Sequence, residues 1–143
     1  MKPKAPAVTQ EATTFEVLDD RECLEFLGSE SVGHLGLTAG ALPLVVPIRY
    51  RLVGDSLIFA TEEGAKLNSA RSHAVACLEI DRSDPSTGTS WTVLATGRLR
   101  EAPEEADMAS GDDRLRAWGL PTTEHLVALD IALLSGSAST SRR

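Results

Sequence analysis

Residues 41–71 read ALPLVVPIRYRLVGDSLIFATEEGAKLNSAR, and the alternation in their first half decides the fold class. Leu42, Leu44, Val46, Ile48, Tyr50 and Leu52 fall on one side of a period of two. Ala41, Pro43, Val45, Pro47, Arg49 and Arg51 fall on the other. Such alternation marks a strand with one buried face. Gly54-Asp55 is a turn signal, and Ser56–Thr61 reads as a strand returning in a hairpin. A short helix carrying Lys66 is expected after Thr61, through Arg71.

Two features single out this stretch. Pro43 and Pro47 lack amide donors, and residues four apart in a strand aim their backbone groups to the same side. One edge of the strand is therefore expected to pair poorly. Secondly, Arg49, Arg51, Lys66 and Arg71 concentrate cations here. A guanidinium fork suits phosphate, because it bonds two oxygens at once. Spacing alone favours two solvated arginines and an exposed helical lysine, since charged residues mostly lie on the surface.

The rest of the chain supplies further strands. Ser31–Thr38 is expected as the first, with Gly33, Leu35 and Leu37 on one face and His34 on the other. His73–Asp81 alternates through Ala74, Ala76, Leu78 and Ile80. Thr89–Arg100 is a long strand, with Trp91, Val93, Ala95 and Leu99 on one face and Thr92, Leu94, Thr96 and Arg98 opposite. His125–Leu134 is the expected last strand. Before all of these, Asp19 and Glu22 form a capping box that opens a helix, flanked by Leu18 and Cys23, and Gly28 is a natural stop. Acidic residues beside Pro103 suggest another helix start, and Trp118 is a candidate packing anchor. The expected organisation is a flexible lead over 1–14, one domain over 15–134 and a flexible tail over 135–143.

Composition excludes several classes of function. The chain has 143 residues, 42% hydrophobic residues and a formal net charge of −7, the size and make-up of one globular domain. That charge opposes a general nucleic-acid binder. No apolar run approaches the ~20 residues of a membrane helix, and the N-terminal residues do not resemble a secretory signal. A cytoplasmic location is the expectation. Cys23 and Cys77 are no disulfide framework and are expected as buried free thiols. There is no G-x-G-x-x-G after a strand, no G-x-S-x-G and no paired-histidine metal motif. Redox chemistry on this chain would have to come from a borrowed cofactor.

An ordered set of short runs points to one family. Val32-Gly-His-Leu-Gly-Leu37 is followed by Leu44-Val-Val-Pro-Ile-Arg-Tyr50, Ile58-Phe-Ala-Thr61 and Gly64-Ala-Lys-Leu67. Ser90-Trp-Thr-Val-Leu-Ala-Thr-Gly-Arg98 completes the series. From about Leu18 to Ala102 the chain resembles the pyridoxamine 5′-phosphate oxidase-like flavoproteins. It is most similar to their short actinobacterial and nitroimidazole-reductase-like members.

The resemblance implies an all-β, FMN-binding split β-barrel with peripheral helices. It also implies a homodimer with FMN at the subunit boundary, acting as a flavin-dependent oxidoreductase on a small molecule. Carried onto this sequence, the cofactor-binding candidates are Val46, Pro47, Ile48, Arg49, Thr61, Lys66, Leu67, Trp91 and Thr92. The flavin ring is expected along Val46-Pro47-Ile48, with Thr61 and Thr92 near its polar rim. Arg49 and Lys66 are expected at the phosphate, with Arg51 in reserve. No catalytic residue and no metal ligand is assigned.

Members of the wider superfamily use a deazaflavin cofactor or bind haem, so a carrier or sensor without turnover is the alternative. Two departures matter. Glu62 and Glu63 precede Lys66, where an anion site favours fewer acids. The arginine-rich C-terminal motif of the vitamin-forming oxidases is not recognisable, since Glu124, His125 and Asp130 occupy that region and no arginine follows until Arg142. Pyridoxamine phosphate is therefore not the expected substrate.

Overall fold

The computed structural model describes residues 13–62, 64–102 and 125–141. The expected helix after Pro103, Trp118, Glu124, Arg142 and most of the expected N-terminal lead lie outside these. Ten elements follow in chain order: β1 (Thr13–Val17), α1 (Asp20–Ser29), β2 (Val32–Ala39), β3 (Leu42–Arg49) and β4 (Arg51–Val53). Then come β5 (Ser56–Thr61), α2 (Ala65–Arg71), β6 (Val75–Asp84), β7 (Thr89–Glu101) and β8 (His125–Ser141).

The strands make one antiparallel eight-stranded sheet in the order β3-β2-β6-β7-β8-β5-β4, with β1 paired to β8. This order forces the curl. β3 and β4 stand at opposite ends of the sheet, yet only Tyr50 separates them in the chain. Two Cα steps span at most about 7.6 Å. Six strand spacings in a flat sheet would span roughly 29 Å. The sheet therefore has to wrap until its ends meet, which gives a split barrel closed by the chain itself.

Tyr50 is the corner of that closure. It is fully buried, its hydroxyl donates to the carbonyl of Leu27 at 2.7 Å, and its amide donates to the carbonyl of Ser31 at 3.0 Å. The corner corrects the expected hairpin. Residues 42–49 pair with β2, and only Arg51–Val53 pairs with β5. The alternation is continuous in sequence, but the pairing partner changes at Tyr50. The expected inward face of β3 holds, since Leu44, Val46 and Ile48 pair with the inward Leu37, Leu35 and Gly33, but burial is confined to the Tyr50 end: Leu42 and Leu44 are exposed, while Ile48 and Tyr50 are buried. β3 does stand at an end of the sheet, where its prolines cost the fewest ladder bonds.

The interior is filled by one face of the sheet and by the helices. Leu35, Leu37, Leu78, Ile80, Val93, Ala95 and Leu99 lie in it, together with Cys23 and Leu27 from α1 and Leu67 and Ala70 from α2. The α1 capping box forms as expected. The Glu22 amide donates to Asp19 Oδ1 at 2.8 Å, and the Asp19 amide donates to Glu22 Oε1 at 2.9 Å. α1 sits close on β8, where a Cβ at Gly136 would approach Cys23 Sγ to 2.8 Å. A Cβ at Gly97 would collide with the Asp130 carbonyl, at a register shift between Thr96 and Gly97.

The last strand is longer than expected. It does not stop at Leu134 but runs to Ser141, pairing with β7 on one side and, over Ser137–Ser141, with β1 on the other. Thr13 and Thr14, placed in the lead by the sequence reading, open β1. Neither helix among the described residues is long and apolar enough to cross a membrane.

Candidate functional site

Strand register sorts the candidate residues onto two faces. Gly33, Leu35 and Leu37 point inward, so Val32, His34 and Gly36 point outward. Paired residues share a face. Val32 pairs with Arg49, His34 with Pro47, and Gly36 with Val45, which turns those β3 residues outward too. On β7, Val93 and Ala95 are buried, while Thr92 is exposed on the outward side. Pro47, Arg49 and Thr92 therefore share the outward face of one sheet.

The other candidates lie elsewhere. Val46 and Ile48 alternate inward along β3, with Ile48 buried. Their backbone groups point toward β2, in the ladder that the Tyr50 amide continues by donating to the Ser31 carbonyl, whereas those of Val45, Pro47 and Arg49 face the free side of the strand. Thr61 is buried, and its hydroxyl donates to the carbonyl of Glu62 at 3.2 Å. Leu67 is fully enclosed in the core, where its side chain packs rather than lines a surface. Trp91 is half-buried on the inward side and stacks on Phe26 of α1, with ring centroids 4.1 Å apart. Lys66 is half-buried, second in α2, beyond the Thr61 end of β5. Arg49 is half-buried at the end of β3. Its Nε is buried without a hydrogen-bond partner, although the residue itself has an interaction partner.

A charged group beside Pro47 escaped the sequence reading. His34 stands next to Pro47 on one side and Glu79 on the other. His34 Nδ1 lies 3.3 Å from Glu79 Oε1. Burial, and then a hydrogen bond and charge from Asp81, push the Glu79 carboxyl above its ordinary range, while His34 opposes the rise. Nothing in the spacing of His34, Glu79 and Asp81 announces this cluster, because 45 residues separate the histidine from Glu79. The signal was limited to the outward placement of His34 in a strand. Cys77 also faces outward and is half-buried, whereas Cys23 is buried; both thiols are free.

A second polar group lies at the other end of β8. Arg100 Nε donates to Asp130 Oδ2 at 2.7 Å, and Ser56 Oγ donates to Asp130 Oδ1 at 2.6 Å. The Arg100 hydrogen bond leads the effects that hold the Asp130 carboxyl below the usual range. Among the described residues, no group of three or more His, Cys, Asp and Glu is arranged to hold a metal ion.

The sequence profile described as pyridoxamine 5′-phosphate oxidase matches residues 19–138. The chain belongs to this family. Its fold is the family's flavin-binding split barrel. An uncharacterised protein of Mycobacterium tuberculosis is 28% identical over 135 residues, covering 91% of this chain and 89% of that protein. Among solved structures, a FAD-binding protein of Mesorhizobium loti superposes with a TM-score of 0.78 at 20% identity, over 90% of this chain and 98% of that one. A FAD-binding protein of Mycobacterium smegmatis gives a TM-score of 0.66 at 26% identity, over 87% of this chain and 97% of that one.

Proposed function

We propose that this member of the family binds a flavin along β3 and acts as a flavin-dependent oxidoreductase on a small molecule. The observation that carries the reading is the shared outward face of Pro47, Arg49 and Thr92, at a strand that ends the sheet. A proline-bearing end strand has room for a flat ring beside its backbone. The amides of Val45 and Arg49, which point to the free side of the strand, would serve ring carbonyls and nitrogens, and the Thr92 hydroxyl the polar rim. Arg49 and Lys66 would hold the phosphate of FMN. A phosphate near two negative charges needs such cations in a chain of net charge −7. The flavin would supply the electron-transfer chemistry that no side chain here provides.

The FAD-binding character of the M. smegmatis relative supports a flavin and leaves FAD as the competitor of FMN. The missing C-terminal arginine motif argues against pyridoxamine phosphate as substrate. The reading takes the protein as a homodimer in the cytoplasm.

The test begins with the absorption spectrum of the purified protein and titration with FMN, FAD and riboflavin. Each charge-assisted bond contributes about 1.5–3 kcal/mol. Arg49→Ala and Lys66→Ala should each weaken FMN binding about ten-fold or more, with circular dichroism unchanged. Riboflavin, without the phosphate, should bind much more weakly than FMN. Wild-type affinity in both folded variants would remove the phosphate assignment. Bleaching of the bound flavin by NAD(P)H and its reoxidation by an added substrate separate turnover from a carrier or sensor role.

A further inference from the structure

One histidine lies between the two ends of the proposed flavin site. Pro47 stands on β3 and Thr92 on β7, with β2 and β6 between them. Three strand spacings separate the two residues, roughly 14 Å. A flat ring laid on the outward face from Pro47 toward Thr92 therefore crosses β2 and β6. The outward residues on its way are His34, paired with Pro47, and Glu79, paired with His34. Asp81 pairs with Thr92 itself. The Tyr50 amide bonds to the Ser31 carbonyl, so three residues earlier the backbone of Pro47 turns away from β2. His34 and Pro47 are thus a non-hydrogen-bonded pair, the kind in which side chains approach most closely.

The imidazole is held from one side only. His34 Nδ1 lies 3.3 Å from Glu79 Oε1, yet the side chain is 55% exposed, which leaves Nε2 open to a ligand. Nδ1–H donating to an ionised Glu79 makes Nε2 a proton acceptor. The other two histidines stand elsewhere. His73 is in the turn before β6, and His125 alternates inward with the buried Val127 and Leu129. Around His34, β6 contributes Glu79 and Asp81, with Cys77 two residues before Glu79, and β3 contributes Arg49. On β7, Leu94 and Thr92 stand opposite the acids, and Arg98 lies further along beside Val75. Both helices pack on the inward face.

Charge makes this placement consequential. Two-electron reduction leaves a flavin ring anionic once it has taken a single proton. Glu79 and Asp81 beneath such a ring repel it, in a chain whose net charge is already −7. A cation formed at His34 offsets both repulsions. Asp81 pushes the Glu79 carboxyl up and His34 draws it down, so the three groups already share one electrostatic balance.

We propose that His34 Nε2 takes up the second proton of flavin reduction, and that Glu79 is the positioning residue that orients the imidazole. The inference rests on the flavin reading above. A reduced nicotinamide dinucleotide supplies a hydride and is itself oxidised, which adds two electrons and one proton to the ring. Nε2 takes its proton from water, and the imidazolium charge faces the ring's negative charge. On reoxidation the hydride passes to an electron-poor small molecule. The Nε2–H bond then breaks, its proton goes to the anion so formed, and the electron pair stays on nitrogen.

The experiment is potentiometry of the FMN-loaded protein across about pH 6–9, which brackets the range where histidine ordinarily titrates. It compares the wild type with His34→Gln and Glu79→Gln, with FMN titration and circular dichroism on each. For a two-electron couple, each proton taken up shifts the reduction equilibrium ten-fold per pH unit, about 30 mV. Above about pH 7, the wild type should take up two protons per flavin and His34→Gln one. Glu79→Gln keeps the imidazole but loses its orienting carboxylate, so its two-proton range should end at lower pH. Nuclear magnetic resonance of the wild type at about pH 8 should show a neutral His34 ring with oxidised flavin and a protonated one after reduction.

Equal proton uptake in the wild type and His34→Gln would overturn the proposal and leave the flavin reading standing. So would a His34 ring that stays neutral on reduction, and that readout decides alone if His34→Gln binds no FMN. An unchanged two-proton range in Glu79→Gln would remove the positioning role. A wild type that binds no flavin would overturn the flavin reading and this proposal with it.

Discussion

Leu78 and Glu79 are neighbours on β6 that face opposite sides of one sheet. Leu78 is almost completely buried among Leu35, Ile80 and Val93. Glu79 is part-exposed beside His34 and Asp81 on the face that carries Pro47 and Thr92. The inward side is almost wholly apolar, and it fixes the barrel. The outward side mixes exposed hydrophobics with charges that are held above or beside their preferred states. A sheet in which one face supplies stability leaves the other free to carry binding groups at little structural cost.

The comparison makes graded predictions. Leu78→Ala removes packing from a closed core and should cost about 2–5 kcal/mol in chemical denaturation. A loss below about 1 kcal/mol would mean that the inward face is not the stabilising one. Tyr50→Phe keeps the ring but strips the hydrogen bond to the Leu27 carbonyl at the corner. It should cost about 1–3 kcal/mol, and it tests whether closure depends on that corner or on the sheet alone.

On the outward face the effects on stability should be smaller and depend on pH. The raised Glu79 carboxyl binds a proton more readily in the folded state than in the unfolded one. Its contribution is full below the ordinary value of 4.5 and is lost as pH rises through its higher folded value. Glu79→Gln should therefore gain on the wild type as pH rises through that window, by less than about 1 kcal/mol. Asp130 runs the other way. Its lowered carboxyl contributes above the ordinary 3.8 and loses that contribution as pH falls. Asp130→Asn should flatten the acid limb of the stability profile, again by less than about 1 kcal/mol because the side chain is half exposed.

The smallest stability effect belongs to Thr92→Val. It should leave the melting curve within about 0.5 kcal/mol while shifting flavin affinity or reduction potential modestly. A stability loss like that of Leu78→Ala would place Thr92 with the core and erase the contrast between the faces.

Much of the fold was legible in the sequence because period-two alternation is local. The inward sets of β2, β6 and β7 follow from it, and so does the α1 capping box, whose partners lie three residues apart. The continued pairing of Ser135–Ser141 was not legible. Serine and glycine carry little strand signal, and this segment gains its structure from β7 and β1. Of the nine cofactor candidates, the alternation sorts Pro47 and Arg49 from Val46 and Ile48, and Thr92 from Trp91. It says nothing of where Lys66 stands relative to them.

The sequence by itself determined most of the strands, the inward faces of β2, β6 and β7, the helix cap and the proline-marked edge. Each depends on contacts within a few residues or on what one residue's backbone can do. Only the tertiary structure decided that the 41–52 stretch changes partners at Tyr50, that His34 meets Glu79, and that β1 brings Phe15 and Val17 onto the same face as Pro47. Those outcomes depend on pairing across tens of residues, set by the need to bury one face of a curled sheet, and a local pattern does not encode which strands will meet.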